Sequence, residues 1–246
     1  MSGARFRSRA AATPDKCYDA AYFSDELHRD HWFTNNAAKR ERRWAAVLRM
    51  LEPDAKDRVL EIGCAAGLHT LKLAPLVGSA VGIDRAFDGV VVAHRTAHDR
   101  AVGNAAFTVC DAARLAFADE SFDKVAAIDF VEHVDDDALV AILNEARRVL
   151  ATSGRIAIYT PCATHYVERL KAHDVVLKQI DGHIAVRAPE AYVALLARAG
   201  FTVRAQWFLP SDYPVFGAVD RLLMRLPVLG RWFRFRICIV ATKARP

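Results

Sequence analysis

Arg58-Val-Leu-Glu-Ile-Gly-Cys-Ala-Ala-Gly67 is the stretch that decides the fold. A short apolar run enters a glycine-bearing turn, and a helical pattern resumes beyond it. The segment reads as strand, tight turn and helix. Gly63 lets a ligand approach the backbone, and the new helix offers unpaired N–H groups at the positive end of its dipole. A dinucleotide fingerprint would read Gly-x-Gly-x-x-Gly, but Ala65 stands where its second glycine belongs. Taken alone, the turn is equally well explained by close strand–helix packing.

The same rhythm continues on either side. Strands are expected at Ala80–Asp84, Ala106–Cys110, Lys124–Asp129 and Arg155–Tyr159, with helices at Gly67–Leu76, Phe87–Val102, Asp136–Leu150 and Pro189–Ala199. Short strands alternating with helices imply a parallel sheet covered on both faces. Two further strands, Phe201–Leu209 and Trp232–Thr242, are separated only by a turn-rich linker and a short helix, so their pairing can be antiparallel. Upstream, Tyr18–Leu51 looks helical. Its second half, Ala37–Met50, is amphipathic and Pro53 ends it. The expected organisation is a disordered basic tail (1–14) followed by one domain (15–246). That domain comprises a helical cap (15–56), a ligand-binding core (57–210), and a cap helix with the last strand (211–246).

Acids mark the strand ends. Asp84 closes the second strand about 20 residues after Gly63, the spacing at which a carboxylate accepts both hydroxyls of a ribose. Asp111 follows the third strand, Asp129 the fourth, and Glu61 lies inside the first. In an open parallel sheet these positions line one crevice at the carboxyl edge. Each alone is an ordinary turn former; together they point to a ligand.

Composition narrows the classes. The chain has 246 residues, 53% hydrophobic and 26% charged, which excludes a disordered chain, collagen or a coiled coil. No apolar run approaches the ~18 residues of a membrane helix. Five widely spaced cysteines without a Cys-x-x-Cys argue against a disulfide framework or zinc ribbon and for a reducing, cytoplasmic setting. The net charge of +5 is terminal: Arg5, Arg7 and Arg9 open the chain, and Arg221, Arg225, Arg231, Arg234, Arg236, Lys243 and Arg245 close it without an acid among them. The body is therefore acidic, and no nucleic-acid partner is expected.

Val59–Gly67, Gly82–Asp84, Cys110–Ala112, Phe122–Val134 and Ala146–Thr160 resemble, in order and spacing, the successive motifs of class I S-adenosylmethionine-dependent methyltransferases. The resemblance spans about Asp57 to Phe201. It implies an α/β, Rossmann-like, seven-stranded and mostly parallel sheet in a three-layer sandwich, its last strand antiparallel. It also implies S-adenosylmethionine as cofactor. By position, Glu61 would organise the methionine amino end, and Gly63, Cys64 and Gly67 would make room for the cofactor. Asp84 would hold the ribose, Asp111 and the Ala112 backbone the adenine, and Asp129 and Phe130 would complete the lining. Two positions depart from the family. Ala65 replaces a common glycine, which is tolerable at negative φ. Arg85 stands where an apolar residue usually covers adenine, and its guanidinium plane can stack instead.

A sulfonium methyl donor is electrophilic unaided, so the protein must supply alignment and, for an oxygen acceptor, a base. Asp129-Phe-Val-Glu132-His133 resembles the segment of ubiquinone-biosynthesis-type O-methyltransferases whose acids and histidine can hold a divalent cation. His133 is read as the base or substrate orienter, with no metal expected; if one binds, Asp129, Glu132 and His133 are its ligands. The acceptor pocket is expected to draw on Tyr22, His31 and Trp32, on His165, Tyr166 and His183, and on the segment 213–229. The acceptor is expected to be a small or lipid-like metabolite methylated on oxygen, less readily on nitrogen. The basic, apolar end of the chain (221–246) can touch the inner membrane face. Cys162 reads as a small buried residue. An RNA or protein methyltransferase, and a non-catalytic cofactor-binding subunit, remain the alternatives; acceptor and oligomeric state are not legible.

Overall fold

The computed structural model describes residues 37–172, 182–212 and 214–244. The basic tail, the first part of the expected cap with Tyr22, His31 and Trp32, and Tyr213 lie outside the described residues.

Seven strands form one sheet: β1 (Arg58–Ile62), β2 (Ser79–Asp84), β3 (Ala105–Val109), β4 (Phe122–Ile128), β5 (Leu150–Pro161), β6 (Phe201–Leu209) and β7 (Arg236–Lys243). Their order is β3-β2-β1-β4-β5-β7-β6. β1 to β5 pair in parallel, and β7 runs antiparallel to both β5 and β6. The helices among the described residues are α1 (Ala37–Leu51), α2 (Leu68–Leu73), α3 (Phe87–Asp99), α4 (Asp136–Val149), α5 (Tyr166–Ala172), α6 (Pro189–Arg198) and α7 (Pro214–Leu223).

Alternation along the central strands builds the two cores. Leu60 and Ile62 of β1, Val125 and Ala127 of β4, and Ile156 and Ile158 of β5 pack with Leu139, Leu143 and Ala146 of α4 and with Tyr192 and Leu195 of α6. Val59, Ala126, Ile128, Ala157 and Tyr159 face the other way, toward Ala46, Val47, Met50 and Leu51 of α1. A one-residue slip of any strand would exchange these two sets, so the register is strongly specified. Asp135 caps α4 by accepting from the Ala138 amide at 2.9 Å.

The structure adjusts four boundaries. The helix after the first turn ends at Leu73 and continues as a 3₁₀ turn, Ala74–Leu76, because Pro75 has no N–H to extend an α-helix. Ala101 at φ 51° closes α3 before Val102. β5 starts at Leu150 rather than Arg155, with a register shift against β4 between Phe122 and Lys124. Gly154 permits it, since a Cβ there would overlap Leu150 and the Asp123 carbonyl. Residues Leu229–Phe233 form a 3₁₀ turn, so β7 begins at Arg236 and not at Trp232. No described helix is long and apolar enough to cross a membrane.

Candidate active site

The turn after β1 is held from β2. The amides of Gly63 and Cys64 both donate to the Ile83 carbonyl, at 2.8 and 2.9 Å, and Gly67 N–H donates to Cys64 O at 2.8 Å. Asp84, the last residue of β2, accepts from the Ala65 amide through Oδ2 and from the Ala86 amide through Oδ1, both at 2.8 Å. Four turn amides are thus committed inside the protein, against the expectation of open donors there. α2, with six residues, is also shorter than foreseen. This turn supplies shape rather than a phosphate cradle. Gly63 (φ 76°) and Gly67 (φ 77°) need glycine: a Cβ would overlap the Phe130 ring at Gly63, and Phe107 and Ala93 at Gly67. Ala65 also has positive φ, 46°, and so does not meet the condition of negative φ under which an alanine is tolerated there without strain. An L-residue held there stores roughly 1–2 kcal/mol of strain, fixed here by the Asp84 contact.

The other strand-end acids converge on the same edge. Glu61 is buried; Oε2 accepts from Thr70 Oγ1 and Oε1 pairs with His69 Nδ1 at 3.2 Å. Asp111 lies in the turn beyond β3, exposed, with Oδ1 accepting from the Ala113 amide at 3.0 Å. Beside it the Ala112 side chain is buried, and Arg85 is exposed after β2. Cys64 is buried behind the turn, and burial pushes its thiol pKa up.

Asp129 sits just past β4 at φ 49°. Oδ1 pairs with Arg236 Nη1 of β7 at 2.8 Å and Oδ2 with Arg43 Nη2 of α1 at 3.0 Å. Burial opposes ionisation, but these two guanidiniums outweigh it and hold the carboxyl at about 2. Glu132 is fully buried and accepts from Thr160 Oγ1 at 2.9 Å, while its Oε1 has no partner. Burial and the nearby Asp129 charge push its pKa up to about 8, so it is protonated at neutral pH.

Because Glu132 takes up a proton on folding, its contribution to stability is fully present below its unfolded pKa of about 4.5 and is lost as pH rises through about 8. Replacing Glu132 by glutamine removes that dependence. The variant's melting temperature should match the wild type near pH 5 and exceed it progressively from pH 6 to 9. An unchanged pH–stability curve would count against a buried neutral carboxyl.

His133 follows. Its Nδ1 donates to the Gly182 carbonyl at 2.9 Å, and its ring meets that of His183 edge-on, centroids 4.9 Å apart at 83°. Burial lowers the His133 pKa against the pull of the Gly182 and Asp129 carbonyls. Burial, His133 and Arg236 push His183 down to about 4. Glu132, His133 and His183 each bring one ligand atom within 4.8 Å of the others. Asp129 is turned away into its ion pairs, so a cation at this place would take His183 in its stead.

His183 gets there through a residue the sequence reading passed over. Arg187 is buried and donates to the carbonyls of Val131 (2.7 Å), Val134 (2.6 Å) and Ala185 (3.0 Å), and it pairs with Asp136 at 2.7 Å. Ala185 N–H also donates to Glu132 O at 3.0 Å. The returning insert is stapled to the loop after β4. His165, expected in the acceptor pocket, is instead wholly buried. Nε2 meets Asp220 at 3.2 Å and Nδ1 accepts from the Val167 amide at 3.2 Å, so neither nitrogen is offered to an acceptor. Tyr166 packs between His165 and Phe233. Cys162 is buried, its thiol pKa raised by burial.

Residues 59–154 match the model of a methyltransferase domain family. The chain is 28% identical over 228 residues to the methyltransferase GfsG of Streptomyces halstedii, covering 85% of this chain and 78% of that one. It is 36% identical over 112 residues to the ubiquinone biosynthesis O-methyltransferase of Azorhizobium caulinodans, covering 46% of this chain and 43% of the relative. Its fold matches the crystal structure of the YcgJ protein from Bacillus subtilis with a TM-score of 0.63 at 20% identity, over 84% of this chain and 99% of the other. Residues 59–154 thus carry a methyltransferase domain, and the chain has the fold of the class I S-adenosylmethionine-dependent methyltransferases.

The site of this methyltransferase suits that cofactor. S-Adenosylmethionine carries a sulfonium, an ammonium and a ribose but no phosphate. The edge offers Glu61, Asp84, Asp111 and Asp129 around a turn whose amides are already bonded. Acids without a phosphate cradle match the ligand's charges. Besides Arg187, the methyltransferase has Lys39, Arg43 and Arg236 at its carboxyl edge, groups that sequence patterning assigned to an amphipathic helix and a strand face.

Proposed function

We propose that this methyltransferase transfers the donor methyl to an oxygen of a small-molecule acceptor, with His133 taking the hydroxyl proton. The observation carrying this reading is the convergence of Glu132, His133 and His183, each with a ligand atom within 4.8 Å of the others, just past Phe130, whose ring packs at Gly63 of the cofactor turn. S-Adenosylmethionine supplies an activated methyl, so the chain must align the acceptor and remove one proton. A carbonyl oxygen only accepts, so the bond to Gly182 keeps a proton on Nδ1 of His133, and within this reading the acceptor proton goes to the other ring nitrogen. Glu132, protonated and bonded to Thr160, backs the ring without an ionised partner that would hold it as imidazolium. Within this reading Glu61 orients the methionine amino end, Asp84 the ribose, and Asp111 with Ala112 the adenine. Gly63, Cys64, Gly67, Arg85, Asp129 and Phe130 form the remaining wall.

The similarity to a ubiquinone-biosynthesis O-methyltransferase supports an oxygen acceptor. We read the step as metal-free, because a cation would first have to displace the Glu132 proton. The test is the purified chain with S-adenosylmethionine and a panel of phenols, catechols and amines, read by mass spectrometry. O-methyl products, formed undiminished with EDTA, are expected; N-methyl products alone, or a strict metal requirement, would refute the reading. Val215 (73% exposed) and Leu222 (69% exposed) of α7 stand near Arg221 and Arg225, which supports peripheral contact with an anionic lipid surface. Flotation with phosphatidylglycerol but not phosphatidylcholine vesicles tests it.

A further inference from the structure

Lys39 and Arg43 of α1 and Arg236 of β7 converge at the carboxyl edge. Arg43 and Arg236 grip the two oxygens of Asp129. Both guanidiniums also lie over the Tyr159 ring, 5.8 and 5.5 Å from its centroid. Lys39 is drawn into the same group: burial, Arg236 and Arg43 push its pKa down to about 8. Three cations therefore face one ionised carboxylate. The other acids in reach do not close the balance. Asp212 is engaged by Arg42 at 3.2 Å, Glu168 by Lys171 at 2.8 Å, and Glu132 by Thr160 at 2.9 Å. Arg236 is only 8% exposed, yet its Nε has no partner, and neither has the buried Nε of Arg43. Buried donors that lack acceptors, beneath an excess of positive charge, mark a place where an anion completes the structure.

The position in the sheet says which molecule brings that anion. The acids suited to the adenosyl group follow β2 and β3. α1 packs over β4, β5 and β7, and β7 lies three strands from β1. At ~4.8 Å per strand the base of Arg236 is about 14 Å from the cofactor turn, on the opposite flank of Asp129.

We propose that Lys39, Arg43 and Arg236 form an anion-binding subsite for a carboxylate or phosphate group of the methyl acceptor, so that the acceptor is an acid. This rests on the acceptor being a small molecule that enters beside His133. A point charge or fork of donors paired with a carboxylate or phosphate is the strong form of hydrogen bond, and here it is shielded from water.

Calorimetry on the full chain in low-chloride buffer tests it. The protein saturated with S-adenosylhomocysteine is titrated with inorganic phosphate and with benzoate. At least one anion is expected to bind in the millimolar range. Lys39→Gln should weaken that binding at least tenfold while S-adenosylhomocysteine affinity stays within about twofold. Arg236→Lys, which keeps the charge opposite Asp129, should weaken it too. No anion binding to the loaded wild type overturns the subsite. Loss of S-adenosylhomocysteine affinity in Lys39→Gln, with 5′-methylthioadenosine binding unchanged, overturns it in favour of the cofactor's own carboxylate. Neither result bears on whether oxygen is methylated, which the product analysis decides separately.

Discussion

Replacing Asp84 by alanine is expected to weaken S-adenosylhomocysteine binding at least about 100-fold while the protein stays folded. The carboxylate holds the Ala65 and Ala86 amides at 2.8 Å and keeps the strained Ala65 turn in place. Each hydrogen bond to a charged group is worth about 1.5–3 kcal/mol, and two ribose hydroxyls would be lost together. A loss of about 2.7 kcal/mol is already 100-fold. Asp84→Asn keeps an acceptor for one amide but not the charge, and should fall between the two. Calorimetry with S-adenosylhomocysteine, alongside thermal melting, reads both. Unchanged affinity in the alanine variant would remove Asp84 from the cofactor site.

The second large effect belongs to His133. His133→Ala should lower kcat about 10²- to 10⁴-fold, the usual contribution of a positioned base, with S-adenosylhomocysteine affinity within about twofold. Burial lowers the His133 pKa below the ordinary imidazole value of 6.5, so the neutral, proton-accepting form is present throughout the neutral range. Wild-type kcat should therefore be flat near pH 7 and decline only on the acid side of 6.5. The alanine variant should lose that decline. A purely structural histidine would instead show lower thermal stability and altered cofactor binding with an unmoved pH profile.

Much of this was readable from the chain, for a local reason. Strand-end acids follow their strands within one or two residues, so Asp84, Asp111 and Asp129 reach one edge once parallel order is granted. What stayed hidden depends on contacts between distant segments. Asp129 and Arg236 are 107 positions apart, and nothing in the alternation of β7 says that one of its arginines turns inward to a carboxylate. His183 meets His133 only because Arg187 binds carbonyls 53 and 56 positions upstream. His165 misled in the opposite sense. Its partner Asp220 lies on α7, 55 positions away, and that pairing draws the ring into the interior. Positive φ at Ala65 and Asp129 was likewise invisible, because neither residue type announces a left-handed backbone.

The Arg187 staple also has a bearing on how this enzyme can be re-engineered. Ala185 and Arg187 tie the returning chain to the loop after β4, and Arg187 reaches the Val131 and Val134 carbonyls on either side of His133. A substitution at Arg187 therefore acts on the His133 loop from more than fifty positions away, and any redesign beside His133 has to leave this staple intact.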